Sequence, residues 1–294
     1  MSAWPSLAAL LPVAERLGER DALAAWLAEQ RGRVGDAGFA ALFDGIDLPG
    51  VARIDFAHRH VRTGRGDLLG GIRFFGQDVA RPFVEVVAHG LDLDRLRAVA
   101  ASEWAAFSPL ALRLLVPPAV ALPGDAALDM TVHAARMGAM APPDGRARLG
   151  PIEPAEAHRL VVERHEAMEA ALRRDVSPAR LEDLERCAKH GILRAICAGG
   201  QTVGVLATEP GAVAFLSGDV VAEEVVAARF AGRGLAASAQ GALAARGDPA
   251  RPLVGTIHAR NAASRRTAER AGRAEVLRYV FLPLPAGGGA PRPR

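Results

Sequence analysis

The chain has 294 residues, half of them hydrophobic and 23% charged, with a formal net charge of +3. Its arginines are scattered among acidic residues and aromatics make up only 5%, so the composition does not favour a nucleic-acid partner. No apolar run reaches roughly 18 residues, no basic-then-apolar leader opens the sequence, and the two cysteines cannot form a metal site alone, so we expect a cytoplasmic protein without a membrane or metal partner.

The first 145 residues are predicted to form an N-terminal α+β domain. Short helices separated by glycines precede loosely alternating strands and one strand–helix–strand succession. The predicted helices are 7–17, 22–30, 37–43 and 92–106. The predicted strands are 52–61, 68–75, 83–88, 110–116 and 127–136.

Pro142-Pro143-Asp144-Gly145 combines prolines, glycine and charge between apolar segments, so it is predicted to link two domains. A second domain, residues 146–284, follows this linker. Its predicted helices are 154–173, 180–190 and 235–245, and its predicted strands are 146–152, 193–198, 202–208, 220–228 and 253–259, with a last strand ending at Leu284. The Gly/Pro/Arg tail, residues 285–294, is predicted to be disordered.

The segment from Val225 to Ala237 has the composition of a strand end, a glycine turn and a helix start. Glycine lets the backbone approach a ligand closely and adopt positive φ. The first N–H groups of a helix have no intrahelical partner, and its dipole favours negative charge there. The segment therefore predicts an anion site that fits a pyrophosphate.

Gly232-x-Gly234-x-x-Ala237 satisfies the dinucleotide fingerprint. That fingerprint needs an acidic residue about 20 positions on, at the end of the next strand. Here the next strand is followed by Arg260-Asn261. An NADP-binding Rossmann-type oxidoreductase, with Arg260 on the 2′-phosphate, is one alternative.

Two motifs at matching spacing resemble another family. Arg229-x-x-Gly232-x-Gly234 is similar to the Q/R-x-x-G-x-G/A pyrophosphate loop of the GNAT superfamily of N-acyltransferases. Downstream, Asn261, a short helix and Gly272 resemble the family's next motif, in which an aromatic usually follows the glycine; here Arg273 follows. The resemblance covers residues 146–284. It implies an α+β fold, with a GNAT-like twisted mixed sheet flanked by helices in the C-terminal half.

The resemblance implies acetyl-CoA as co-substrate. Backbone groups at Val225 and Val226 would pair with the pantetheine arm. Backbone N–H groups of the glycine turn would hold the pyrophosphate, with charge added by Arg229 and Arg233. The expected cofactor-binding residues are Val225, Val226, Arg229, Phe230, Ala231, Gly232, Arg233, Gly234, Leu235, Ala236, Asn261 and Ser264.

Three residues are candidates for proton transfer. Strand alternation sends Glu224 to the side of Val226, under the helix, and Glu223 to the opposite face, so Glu223 is favoured as the base. Ala268 stands where many members of the family carry a tyrosine proposed as general acid. Tyr279, the only tyrosine, is the remaining candidate for that role.

We therefore predict an acetyl-CoA-dependent N-acyltransferase that acts on a primary amine of an unidentified acceptor. A catalytically weak acyl-CoA-binding module is a second alternative, suggested by Ala268. The N-terminal domain is either a degenerate GNAT-like copy or an unrelated cap over the substrate. The sequence does not decide whether the chain forms a homodimer.

Overall fold

The computed structural model describes residues 4–285, so the tail predicted to be disordered lies, from residue 286, outside the described residues. The chain divides into two compact units. Unit 1 takes the residues up to Glu15, Arg20–Asp129 and the chain from Arg278, and unit 2 takes Arg16–Glu19 and Met130–Leu277. No helix among the described residues is long and apolar enough to span a membrane.

This division differs from the predicted boundary at Gly145. The proline segment is fastened inside unit 2, because Ala141 N–H donates to Ala271 O at 3.0 Å and the Asp144 carboxylate accepts from Ser238 Oγ. Asp144 also pairs with Arg146. The hydrogen bonds and the ion pair decide the position of this segment, and composition alone does not indicate them.

The helices follow the predicted order closely. Two predicted helices are each divided in two: 7–17 breaks after Ala8, and 154–173 breaks after Glu166. Beyond the second break, His165 Nε2 donates to Val176 O at 2.9 Å. The α-helices are α1 (Pro5–Ala8), α2 (Leu11–Leu17), α3 (Arg20–Gly32), α4 (Ala37–Ala40), α5 (Leu93–Glu103), α6 (Pro154–Glu166), α7 (Ala170–Asp175), α8 (Leu181–His190), α9 (Leu235–Ala244) and α10 (Ala262–Arg270).

The strands also match, with one exception. The predicted strand 52–61 is wrong over its first part and right from Arg59: Arg53–Phe56 forms a 3₁₀ turn, in which Asp55 Oδ2 accepts the Ala52 N–H at 2.9 Å. The strands are β1 (Arg59–Thr63), β2 (Gly66–Phe74), β3 (Pro82–His89), β4 (Ala111–Val116), β5 (Ala127–Arg136), β6 (Arg148–Gly150), β7 (Ile192–Ala198), β8 (Gln201–Val213), β9 (Leu216–Val226), β10 (Pro252–His258) and β11 (Ala274–Pro283).

The sheet of unit 1 has the order β1-β2-β3-β4-β11. Strands β3 and β4 are parallel and are connected through α5, whereas the other pairs are antiparallel. Aliphatic and aromatic side chains of α5 and of the neighbouring strands form the core of unit 1, which includes the fully buried Trp104 and Leu112.

The sheet of unit 2 has the order β5-β10-β9-β8-β7-β6 and repeats that pattern. Strands β9 and β10 are parallel and connected through α9, and β5 pairs with β10 as an antiparallel strand. In each unit a parallel pair joined by a helix is thus flanked by a strand from the other half of the chain. The repetition favours a degenerate copy over an unrelated cap for the N-terminal half.

The predicted α+β class, with a mixed sheet flanked by helices, is confirmed. The Rossmann alternative needs successive parallel strands, and among the described pairs of unit 2 only β9 and β10 are parallel. The glycine turn after β9 therefore lies in a mainly antiparallel sheet, which is not the setting of the dinucleotide fingerprint.

Candidate functional site

The site of unit 2 lies where β9 and β10 separate. Their parallel pairing joins only Asp219 to Leu253 and Val220 to Val254. Just beyond Val220, the register of β9 against β8 shifts by one residue: Thr208 pairs with Val221, whereas Ala207 pairs with Glu223. A β-bulge bends a strand and increases its twist. Pairing between β9 and β10 therefore stops where the bulge begins, and two cavities open beside the separated ends.

The first, cavity 1, has a volume of about 350 Å³. Strands β9 and β10 supply its walls, and α6, the segment after α7 and the start of α10 complete it. Its lining residues are Met130, Val161, His165, Met168, Asp175, Val176, Ser177, Pro178, Val221, Ala222, Glu223, Glu224, Val225, Gly255, Thr256, Ile257, His258, Asn261, Ser264 and Arg273. Carboxylates and a buried guanidinium face the same small space.

The second, cavity 2, has a volume of about 220 Å³ and lies at the N-terminus of α9. Gly232 and Gly234 have φ of +78° and +72°, a region that side-chain-bearing residues rarely adopt. No side chain caps the first turn of α9, so its N–H groups are free to bind an anion. Backbone from Gly234 to Ala237 lines the cavity.

The predicted cofactor-binding residues line cavity 2, apart from two arginines. Arg229 and Arg233 lie over the Phe230 ring instead, at 4.9 and 5.2 Å from its centroid. Asn261 caps α10 with its side chain, since Oδ1 accepts the Ser264 N–H at 3.1 Å. The glycine turn and Asn261 are thus brought together, as the sequence motifs imply.

Three arginines that the sequence motifs did not indicate line cavity 2: Arg164 of α6 and Arg266 and Arg270 of α10. Within residues 4–285, no salt bridge or side-chain hydrogen bond includes any of them. Arg266 and Arg270 are four positions apart and therefore share a helix face, which was a usable signal. Arg164 is far away in sequence, and only the fold brings it to this cavity.

Glu223 is held by backbone donors. Its Oε2 accepts the Ala179 N–H at 3.1 Å and its Oε1 accepts the Glu224 N–H at 2.9 Å. Burial raises the pKa of Glu223, and these two hydrogen bonds oppose the rise only partly. The side chain lines cavity 1 and points toward the segment before α8, on the face opposite α9, as strand alternation predicts.

Glu224 points toward α9 and lines both cavities. Its Oε2 accepts from Gln240 Nε2 at 2.7 Å, whereas its Oε1 is buried without a partner. Burial raises its pKa, and the nearby guanidinium of Arg273 opposes that rise. Among the residues that line both cavities, Glu224 carries the only titratable side chain.

Tyr279 belongs to unit 1, whereas both glutamates belong to unit 2. The Arg113 guanidinium lies 4.1 Å from the centroid of its ring, and burial raises the pKa of its hydroxyl to about 12. Ala268 is fully buried on α10. A role for Tyr279 as a proton donor stays a prediction.

Solved structures with related folds share little sequence with this chain. An acetyltransferase of the GNAT family from Colwellia psychrerythraea is 9% identical over 78% of this chain and 85% of its own, with a TM-score of 0.49. A GCN5-related N-acetyltransferase from Sphaerobacter thermophilus is 14% identical over 84% and 90%, with a TM-score of 0.46. The chain resembles GNAT acetyltransferases in structure.

A tandem GNAT protein from the clavulanic acid biosynthesis pathway is 18% identical, over 94% of this chain and 96% of its own, with a TM-score of 0.44. No protein-family model matches the chain, and no characterised protein matches it in sequence. At these identities and TM-scores the comparison carries no conclusion about function, which must be argued from the site.

The buried carboxylate of Glu223 predicts a pH-dependent effect on stability. Because burial raises its pKa, the folded state holds the proton more tightly than the unfolded state. That stabilisation is present below the unfolded pKa of about 4.3 and is lost as the pH rises through the folded value. We expect the free energy of unfolding of Glu223→Gln, taken relative to wild type, to rise as the pH is raised from 4 to 8.

Urea unfolding between pH 4 and pH 8 measures this difference. Glu182→Gln, on the exposed first turn of α8, is the control variant. A difference between Glu223→Gln and wild type that stays constant or falls as the pH rises would contradict the prediction.

Proposed function

We propose that the chain is an N-acyltransferase that moves an acetyl group from acetyl-CoA to a primary amine. The pyrophosphate of the co-substrate would bind in cavity 2 and the acceptor in cavity 1. The observation that carries the proposal is the junction of the two cavities at Glu224. A thioester that extends from one cavity would meet an amine held in the other beside a buried carboxylate.

The chemistry of cavity 2 suits a polyphosphate. Two glycines with positive φ and an uncapped helix N-terminus offer backbone N–H donors, and Arg164, Arg266 and Arg270 offer cationic ones. Charge-assisted hydrogen bonds to phosphate are stronger than neutral ones. The valines at the end of β9 line the cavity, where separated strands leave backbone groups for an extended arm.

The transfer balances as follows. An ammonium group in cavity 1 gives one proton to a carboxylate, which leaves a neutral amine. The amine nitrogen attacks the thioester carbonyl carbon, so a C–N bond forms and the C–S bond breaks. The second amine proton goes to the leaving thiolate, and the products are an amide, CoA thiol and one proton on the carboxylate. A raised carboxylate pKa favours the first transfer.

An acyl-CoA-binding module without efficient transfer is the competing proposal. Ala268 cannot donate a proton to the thiolate, which is the observation in its favour. Both proposals require CoA binding in cavity 2, and only the enzyme requires turnover. Thiol release from acetyl-CoA, measured with a panel of amines, amino acids, aminoglycosides and peptide N-termini, separates them. We expect release with at least one acceptor class and formation of its amide.

Gly232→Asp tests the assignment of cavity 2. A Cβ on Gly232 meets no atom within 4 Å, so the carboxylate has room and would repel phosphate. We expect CoA affinity, measured by calorimetry, to fall more than tenfold, or about 1.4 kcal/mol. Gly200→Asp is the matched control, because Gly200 has φ +77°, equally open surroundings and a place in the β7–β8 turn. Unchanged affinity in a folded Gly232→Asp variant would show that CoA does not bind there.

The arginines of α10 give an independent test. We expect Arg266→Ala to weaken CoA about tenfold, which corresponds to roughly 1.4 kcal/mol, because it removes a cation that lines cavity 2. Arg265→Ala, one position away and outside the cavity lining, is the control and should bind CoA as wild type does. Equal losses in both variants would indicate general charge attraction, and a larger loss for Arg229→Ala would restore the sequence-based assignment.

A further inference from the structure

Two buried side chains, Gln240 and Arg273, and the half-buried Glu224 form a hydrogen-bonded chain beside cavity 1. Arg273 Nε donates to Gln240 Oε1 at 2.9 Å, and Gln240 Nε2 donates to Glu224 Oε2 at 2.7 Å. Because arginine can only donate, the orientation of the Gln240 amide is fixed, with its NH₂ group on the carboxylate. The amide thus holds a cation and an anion at its two ends.

Each end of this chain keeps a buried atom without a partner. These atoms are Glu224 Oε1 and Arg273 Nη1, and both residues line cavity 1. Arg273 is only 2% exposed. Buried polar atoms are nearly always hydrogen-bonded in native proteins, so an unpaired acceptor and an unpaired donor at one cavity require an explanation.

Each of the other charged or titratable side chains of cavity 1 has at least one hydrogen-bond partner. Both oxygens of Glu223 accept backbone N–H groups, and Asp175 Oδ2 accepts from Arg260 Nη1 at 2.8 Å. His165 donates to a backbone carbonyl, and the Nδ1 of His258 accepts the Arg260 N–H at 3.3 Å. Among the described residues that line cavity 1, the side-chain atoms that are buried without a partner are one carboxylate oxygen of Glu224 and one guanidinium nitrogen of Arg273.

The backbone makes room for this guanidinium. A Cβ on Gly255 would lie 2.9 Å from Arg273 Nη1, so the glycine of β10 is needed for the present position of the side chain. Arg273 also stands where the family resembled in sequence usually has an aromatic residue. A charged residue with a glycine beside it that leaves room for its guanidinium, in the lining of a cavity, is better explained by a ligand than by packing.

We propose that cavity 1 binds a free α-amino acid, with its carboxylate on Arg273 and its amino group beside Glu224. The inference rests on the proposed function and names the acceptor class for it. Such a zwitterion supplies both the acceptor that Nη1 lacks and the donor that Oε1 lacks. A simple amine would leave the guanidinium without an anion. The volume of about 350 Å³ suits a single amino acid.

In this arrangement the amino group lies at the junction with cavity 2. It gives one proton to Glu224, attacks the thioester carbonyl carbon and releases the thiolate, which takes the second amine proton. Arg273 stays protonated throughout and acts by holding the carboxylate. Gln240 is a positioning residue that keeps the two charged side chains apart.

Matched acceptor pairs test the proposal. Acetylation of phenylalanine is compared with that of phenethylamine, and acetylation of leucine with that of isoamylamine. We expect wild type to favour the amino acid at least tenfold in kcat/KM, and Arg273→Met to abolish that preference mainly through KM. Arg246→Met is the control, because Arg246 is exposed and lies just after the end of α9. This variant should keep the preference for the amino acid.

Gly255→Ala is the second variant, in case Arg273→Met does not fold. Its added methyl group displaces Nη1 while it leaves the charge in place, so we expect a smaller loss of the same preference. Calorimetry with CoA present gives a readout without turnover, and the amino acid should bind while its decarboxylated partner should not.

The outcomes separate the inference from the proposed function. Equal or better use of the decarboxylated amines would overturn the inference and leave the acyltransferase proposal intact. Failure of the amino acid to bind would also overturn it. Binding of the amino acid that depends on Arg273, without thiol release, would support the acceptor site and count against the transferase.

Discussion

The separation of β9 from β10 is the constraint on which the rest of the site depends. Two parallel strands that stayed paired along their length would leave no space between them and no free backbone edge. The shift in register against β8 ends that pairing after Val220 and Val254. The two cavities lie beside the resulting gap, and Glu224 lines both of them.

Burial of charge follows from that gap. A glutamate and an arginine removed from water would be strongly destabilising without partners, and the single Gln240 amide satisfies only part of their hydrogen-bonding capacity. Burial raises the pKa of Glu224 and lowers that of Arg273, because each charged form loses its hydration. Shifted carboxylates in a cavity are characteristic of functional sites. The unpaired Glu224 Oε1 and Arg273 Nη1 are therefore the atoms at which the proposed ligand would bind.

Unit 1 has the same strand pattern as unit 2 but lacks the glycine turn before its connecting helix. Its helix α5 begins after Asp92, whose side chain caps the first turn by accepting the Arg95 N–H at 2.9 Å, and Asp94 adds another negative charge. The Ser6 hydroxyl accepts the His89 N–H at the end of β3. A phosphate would meet carboxylates and occupied donors there. The two units therefore share a strand pattern and differ in the charges and the free N–H donors at the start of the connecting helix.

The sequence determined local features whose causes lie within a few residues. Apolar periodicity and glycine stops located most helices and strands, and the glycines from Gly232 to Gly234 located the turn at which α9 begins. Alternation along β9 correctly separated Glu223 from Glu224, because strand geometry is periodic at two residues. The sequence did not predict the 3₁₀ turn at Arg53–Phe56, because its residues alternate as in a strand while one side-chain hydrogen bond closes the turn.

Only the tertiary structure decided which distant residues meet. Arg164 reaches cavity 2 from a different helix, Arg273 reaches Glu224 through Gln240, and Arg229 and Arg233 turn to Phe230 instead of the cavity. The unit boundary was likewise set by strand pairing, since β5 joins β10 across more than a hundred residues. Spacing along a chain predicts what a backbone can do locally, whereas the position of a long charged side chain depends on which partners the fold brings within reach of it.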